Sequence, residues 1–195
     1  MSLFLGPIHF WLYGKIEKQE ELTKQLSATA KAKGLIIDSE KYTYDLPDLE
    51  SAIDTTNIHG WLQGKITEAE TRYAQLVMDV IAKDPASVEV LEESAYEFGK
   101  KYSLDENTDC EGAFQFMENF FLNGMPCDHV VTVLESGPDK VKFVLSQDIH
   151  KTYWTWPEGT ALYYKLRQAV MNGMISGSNL TLTEEGNLTY VIKSV

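Results

Sequence analysis

Cysteine, positive charge and long apolar runs are all scarce in this chain of 195 residues. Two cysteines cannot hold a fold of this size together, which excludes a disulfide-stabilised miniprotein. Only 17 basic side chains stand against 29 acidic ones, and the net charge of −12 argues against nucleic acid or an anionic membrane as the partner. No apolar window reaches the roughly 20 residues that a membrane-spanning helix needs, so we expect no membrane insertion.

The sequence also lacks a secretion signal and any strong catalytic motif. Its apolar first residues carry no basic segment before them, and the two cysteines are expected to be reduced, so we predict a cytoplasmic protein. A P-loop, a nucleophile elbow and a dinucleotide fingerprint are all missing. With 44% hydrophobic residues the chain can form a real core. These features favour a non-enzymatic protein, and the sequence identifies no cofactor.

One nine-residue pattern occurs twice, fifty residues apart. Residues 8–16 read IHFWLYGKI and residues 58–66 read IHGWLQGKI, so that seven of nine positions agree. We interpret the pattern as an internal repeat. Each copy follows proline or polar capping residues, and its apolar residues recur at helical spacing, which predicts two equivalent helices.

The sequence leaves three roles open for this repeat. In the first, its isoleucines and tryptophans are core, and the repeated glycines, Gly14 and Gly64, mark the close approach of another backbone. In the second, the repeat lines a ligand, cofactor or metal pocket through His9, Trp11, His59 and Trp61. In the third it is a partner surface. Parallel helices would bring the two histidines to one end, whereas antiparallel helices would hold them apart.

After residue 84 the pattern changes from helical spacing to alternation. Two further helices precede a hairpin over residues 131–145, a helix over residues 157–175 and a second hairpin over residues 180–192. This order predicts an α+β fold in which helices pack on an antiparallel sheet. We divide the chain into a duplicated helical segment, residues 1–84, and an α+β domain, residues 85–195, which together form one compact unit.

The run EFGK at residues 97–100, the run GMISG at residues 173–177 and the order of elements resemble a known family. Residues 86–195 are similar to the four-vinyl-reductase-type small-molecule-binding domain, which is related to the TRAPP vesicle-tethering subunits. The resemblance implies a homodimer that binds a small apolar or planar ligand. Zinc-binding members carry cysteines in the final hairpin, and this chain has none there, so neither a zinc site nor an enzymatic role is carried over.

Two further groups of residues are candidates for a site. An aromatic cluster at the start of the last helix, with Tyr153, Trp156 and Tyr163 as candidate ligand contacts, would form either core, a dimer interface or a pocket for a planar ligand. Cys127 and His129, two apart on an expected strand, would point to one face and could offer a thiolate and an imidazole to a metal. The alternative function is a metal- or haem-binding protein or enzyme that uses His9, His59, Cys127 and His129.

Overall fold

A computed structural model describes residues 5–195 of the chain. The helices in this part are α1 (Pro7–Ala32), α2 (Leu49–Ala52), α3 (Ile58–Lys83), α4 (Val88–Lys100), α5 (Cys110–Phe120) and α6 (Gly159–Ile175). The strands are β1 (Val131–Glu135), β2 (Lys140–Leu145), β3 (Leu180–Glu184) and β4 (Thr189–Ser194). Within residues 5–195, no helix combines the length and the apolar character that crossing a membrane requires.

The two longest helices, α1 and α3, pack side by side and run parallel. Their N-terminal ends meet, because the ring centroids of His9 and His59 lie 5.6 Å apart. Further along, Glu20 of α1 forms an ion pair with Arg72 of α3. The connecting segment carries the chain back beside α1, and the Tyr13 hydroxyl donates a hydrogen bond of 2.6 Å to a backbone carbonyl in it. Of the two arrangements that the sequence allows, the parallel one is observed.

The second helical copy buries its first isoleucine and the first copy does not. Ile58 is 3% exposed and packs with Leu49 and Ile53 of the connecting segment, whereas Ile8 is 49% exposed and lines an open groove. Ile8 therefore does not take the core position that the first of the three roles gives it, because no equivalent of the connecting segment covers it within the described residues. Trp11 and Trp61 are half-buried at the edge of the same apolar cluster.

The close backbone contact lies elsewhere than the repeat predicts. Apart from its chain neighbours and the backbone of its own helix, a Cβ atom built on Gly14 or Gly64 would meet no described atom within 4 Å, so the expected close approach of another backbone is not observed at these two glycines. A Cβ atom on Gly99 would instead collide with the carbonyl oxygen of Val170, and one on Gly173 with that of Tyr96. These glycines allow α4 and α6 to cross at short distance.

The four strands form one antiparallel sheet in the order β1-β2-β4-β3, which confirms the predicted α+β fold. Helix α5 contacts β2 and β4, and α6 contacts β3. Val141, Phe143 and Leu145 of β2 are buried, as alternation predicts, but Val133 of β1 is 44% exposed. Edge position alone does not explain this, because Leu180 and Leu182 of β3, the other edge strand, are buried. Among the described residues, α5 and α6 pack on the other three strands, and no helix covers β1 to the same extent.

Candidate functional site

The histidines of the repeat meet at one end of the helix pair, but they are not equivalent. His9 is buried, and its Nδ1 accepts a hydrogen bond of 2.9 Å from the backbone N–H of Gly6. This contact caps α1 and places the proton of the neutral ring on Nε2. His59 is exposed. Among residues 5–195, no group of three or more His, Cys, Asp and Glu side chains is close enough to hold a metal ion.

Cys127 and His129 do not lie on a strand, so that prediction is wrong. Cys127 belongs to a single turn of 3₁₀-helix, Pro126–Asp128, and His129 follows it in the left-handed region with φ of 49°. Both side chains are exposed. The Asp128 carboxylate holds this turn because it accepts a hydrogen bond of 2.8 Å from a backbone N–H at the start of the turn, and β1 begins only afterwards.

Tyr163 is the central member of the aromatic cluster. Its ring stacks on His150 at 3.8 Å and meets Trp154 edge-on at 5.4 Å. His150 is itself buried, and its Nδ1 lies 3.1 Å from a carboxylate oxygen of Glu70. Tyr153 and Trp156 are only half-buried, on the outer side of the cluster. Of these three predicted ligand contacts, Tyr163 is the one that lines the cavity described next.

A small cavity lies among α1, α3, α6 and the end of α5, and we call it the Arg167 pocket. Its lining residues are Lys18, Gln19, Leu22, Tyr73, Phe120, Phe121, Leu122, Tyr163 and Arg167. Most of the lining surface is apolar, and the lining contains no acidic residue among the described ones. The cavity volume is about 20 Å³, which accommodates about one water molecule.

Helix α6 places Arg167 in this pocket. Tyr163 and Arg167 are four residues apart and therefore share one face of the helix. Nη1 of Arg167 donates hydrogen bonds of 2.9 Å to the Asn123 side-chain oxygen and of 3.3 Å to the Tyr163 hydroxyl. The guanidinium carbon lies 4.3 Å from the centre of the Phe121 ring. Arg167 is only 5% exposed, so these contacts hold its charge away from solvent.

Several buried polar atoms in and beside the pocket have no hydrogen-bond partner among residues 5–195. They are Gln19 Nε2, Asn123 Nδ2, Arg167 Nε and the hydroxyls of Tyr73 and Tyr190. Each of these groups can donate a hydrogen bond. Buried polar groups are nearly always paired in folded proteins, and these five donors have no acceptor among the described residues; the buried Glu70 Oε2, near Tyr73 and Tyr163, is likewise without a partner there.

The pocket is also positively charged without internal compensation. No carboxylate within the described part of the chain lies at ion-pair distance from Arg167. Burial raises the pKa of Tyr163 and of Tyr73 well above the ordinary value, so both phenols remain neutral donors. Burial lowers the pKa of Lys15 to about 8, an effect that Glu118 opposes and that the charge of Arg167 increases.

Sequence reasoning missed Gln19, Tyr73, Asn123 and Arg167. One signal for Arg167 was present, because the chain has only two arginines and this one stands among apolar residues of α6. No family model, curated protein or solved structure matches this chain. What the pocket binds must therefore be inferred from its own residues.

Proposed function

We propose that the protein is a non-enzymatic binding protein for a small molecule with an apolar or planar body, held in the Arg167 pocket. The observation that carries the proposal is that three residues lining this mainly apolar and aromatic cavity, Gln19, Tyr73 and Arg167, carry buried donors that are unpaired within residues 5–195. Ligand pockets in proteins combine a mainly apolar lining with a few polar groups that orient the ligand. An empty cavity is lined by apolar atoms, whereas polar groups in the lining bind a water or a ligand.

The size of the cavity sets a condition on binding. About 20 Å³ holds one small group, so the body of a larger ligand needs additional space. Phe120 and Phe121 form the wall, and Lys18 at the α1 side of the pocket keeps about a third of its side chain exposed. We propose that the phenylalanine rings turn aside and that the ligand body extends toward Lys18.

The proposal includes a homodimer in the cytoplasm. Cys110 and Cys127 are free thiols, which suits a reducing compartment. Ile8 at the start of α1 and Leu134 on the edge strand are exposed apolar residues that a second copy could cover. A common origin of residues 86–195 with the four-vinyl-reductase-type domain, and a duplication behind the two repeat helices, belong to the same proposal.

A thermal-shift experiment tests the binding function with one variant that fills the pocket and one that enlarges it. Benzoate, phenol, hexanoate, hexanamide and hexanol are each added to the purified chain and to Leu22→Trp, which fills the pocket. A ligand at 100 times its dissociation constant stabilises the folded state by about 2.7 kcal/mol, so at least one compound should raise the melting temperature of the unmodified chain. The filled variant should show no shift, and Phe121→Ala, which enlarges the pocket, should show a larger one.

The control for this experiment is Leu134→Trp, which adds the same indole on the exposed face of β1. It should respond to ligand like the unmodified chain. The proposal is wrong if none of the compounds shifts the melting temperature. It is equally wrong if Leu22→Trp and Leu134→Trp respond alike.

A further inference from the structure

We propose that the ligand of the Arg167 pocket is a carboxylic acid, bound as its carboxylate by the guanidinium group of Arg167. This inference rests on the proposed function and adds the chemical class of the ligand. It is argued from the charge of the pocket, from the geometry of the guanidinium and from the size of the cavity.

The charge of Arg167 has no counter-ion within residues 5–195. Four nearby carboxylates have other partners: Glu20 pairs with Arg72, Glu21 with Lys18 and Glu118 with Lys15, and Glu70 lies at hydrogen-bond distance from the ring of His150. A guanidinium stays protonated in a protein, so burial cannot neutralise it as it can neutralise a lysine. An unpaired buried charge is costly, and an anion from outside the chain would remove that cost.

The geometry of the guanidinium leaves one side of the group for such an anion. The contacts with Asn123 and Tyr163 both use Nη1, and Nε is buried without a partner among the described residues. The edge formed by Nε and its neighbouring nitrogen is a fork that a carboxylate can bind with two parallel hydrogen bonds. Gln19 Nε2 and the Tyr73 hydroxyl are further donors that lack an acceptor in residues 5–195.

The cavity favours a carboxylate over a larger or more highly charged anion. Its volume of about 20 Å³ corresponds to about one water molecule, so a carboxylate needs less additional space than a phosphate or a sulfate does. One guanidinium supplies one positive charge, and Lys18, the other basic residue of the lining, already pairs with Glu21. The apolar wall of Leu22, Phe120 and Phe121 would contact the carbon chain or ring that carries the head group.

Calorimetric titration with matched acids and amides tests this inference. Hexanoate and hexanamide have the same shape and differ in charge, as do acetate and acetamide, and each is titrated at pH 7 in a chloride-free buffer. Hexanoate should bind the unmodified chain at least tenfold more tightly than hexanamide. Arg167→Met should abolish this preference, and Arg167→Lys should retain only part of it because an ammonium lacks the planar fork.

Two further variants serve as a control for the loss of an arginine and as a substitute for Arg167→Met. Arg72→Met removes the only other arginine, which pairs with Glu20 outside the pocket, and it should leave the preference for the acid unchanged. Asn123→Asp places a carboxylate beside Nη1 of Arg167 and so supplies the anion from within the chain. If Arg167→Met does not fold, Asn123→Asp takes its place, and it should weaken hexanoate binding at least tenfold.

The outcomes separate this inference from the proposed function. If hexanamide binds as tightly as hexanoate and Arg167→Met changes neither affinity, the inference of a carboxylic acid ligand is wrong and the proposed binding function stands. If neither compound of either pair binds, the inference is wrong, and the proposed function is wrong as well if benzoate, phenol and hexanol also leave the melting temperature unchanged. If chloride binds as tightly as acetate and competes with hexanoate, the pocket is a halide site and the inference is wrong.

Discussion

Replacing Gly99 by alanine is expected to destabilise the protein, although alanine is the better helix former. The new Cβ atom would collide with the carbonyl group of Val170 and would lie 3.1 Å from the Cα atom of Gly173. Because these atoms belong to the backbone, α4 and α6 must move apart. Overpacking of this kind costs about 1–3 kcal/mol, and we expect the upper half of that range.

Gly14→Ala is the matched control, because the same substitution in α1 meets no described atom within 4 Å. There the gain in helix propensity should stabilise the chain by about 0.5–1 kcal/mol. Urea denaturation of the two variants and of the unmodified chain should therefore give free-energy changes of opposite sign. The double variant Gly99→Ala, Gly173→Ala should lose less than the sum of the single losses, since one helix separation relieves both clashes.

The account of the α4–α6 crossing fails if Gly99→Ala is as stable as the unmodified chain. It also fails if Gly14→Ala and Gly99→Ala shift stability in the same direction. Circular dichroism at low urea concentration shows whether each variant retains its helices. A change in the slope of the denaturation curve would indicate a different unfolded or native state rather than a local clash.

Three further predictions concern titration, charge and accessibility. Because the pKa of Lys15 falls from 10.5 to about 8 on folding, the unfolded chain binds more protons between these values, and stability should rise with pH there. Between pH 7.5 and 10 the free energy of unfolding should rise by about 2 kcal/mol. Lys15→Met, measured by urea denaturation at each pH, should lack this rise. If the stability of the variant and of the unmodified chain changes with pH in parallel, the low pKa of Lys15 is contradicted. Asn123→Asp should stabilise the unliganded chain by about 1 kcal/mol by pairing Arg167, and a loss of stability would count against an uncompensated charge. Maleimide at pH 7 should label the exposed Cys127 well before Cys110, whose pKa is raised by burial, and equal labelling rates in mass spectra would disprove that difference.

The local elements of this fold were predictable, and their mutual arrangement was not. Helical spacing indicates α1 and α3, and alternation around a turn indicates the β1–β2 and β3–β4 hairpins. The parallel pairing of α1 and α3 depends on where the connecting segment packs, which no local pattern encodes. The same segment explains why Ile58 is buried and Ile8 is exposed, although both occupy the same position of the repeat.

The candidate site was predictable only in part, for a related reason. Tyr163 could be identified because aromatic residues cluster around it in the sequence. The sequence marks Arg167 only as one of two arginines and does not reveal its burial, which results from α1 and the segment after α5 covering the same face of α6. Its unpaired state among the described residues depends in turn on carboxylates such as Glu118 that pair with other cations. Charge compensation of this kind is a property of the assembled core.

The most direct measurement of the central claim is the nuclear magnetic resonance signal of the Arg167 side-chain Nε–H during titration with acetate. The chain has two arginines, so two such signals are expected, and Arg72, already paired with Glu20, serves as the internal control. We predict that acetate moves the Arg167 proton downfield and slows its exchange with water, while Arg72 is unchanged and acetamide has no effect. An Arg167 signal that stays in place at saturating acetate, or that moves equally with acetamide, would contradict the account.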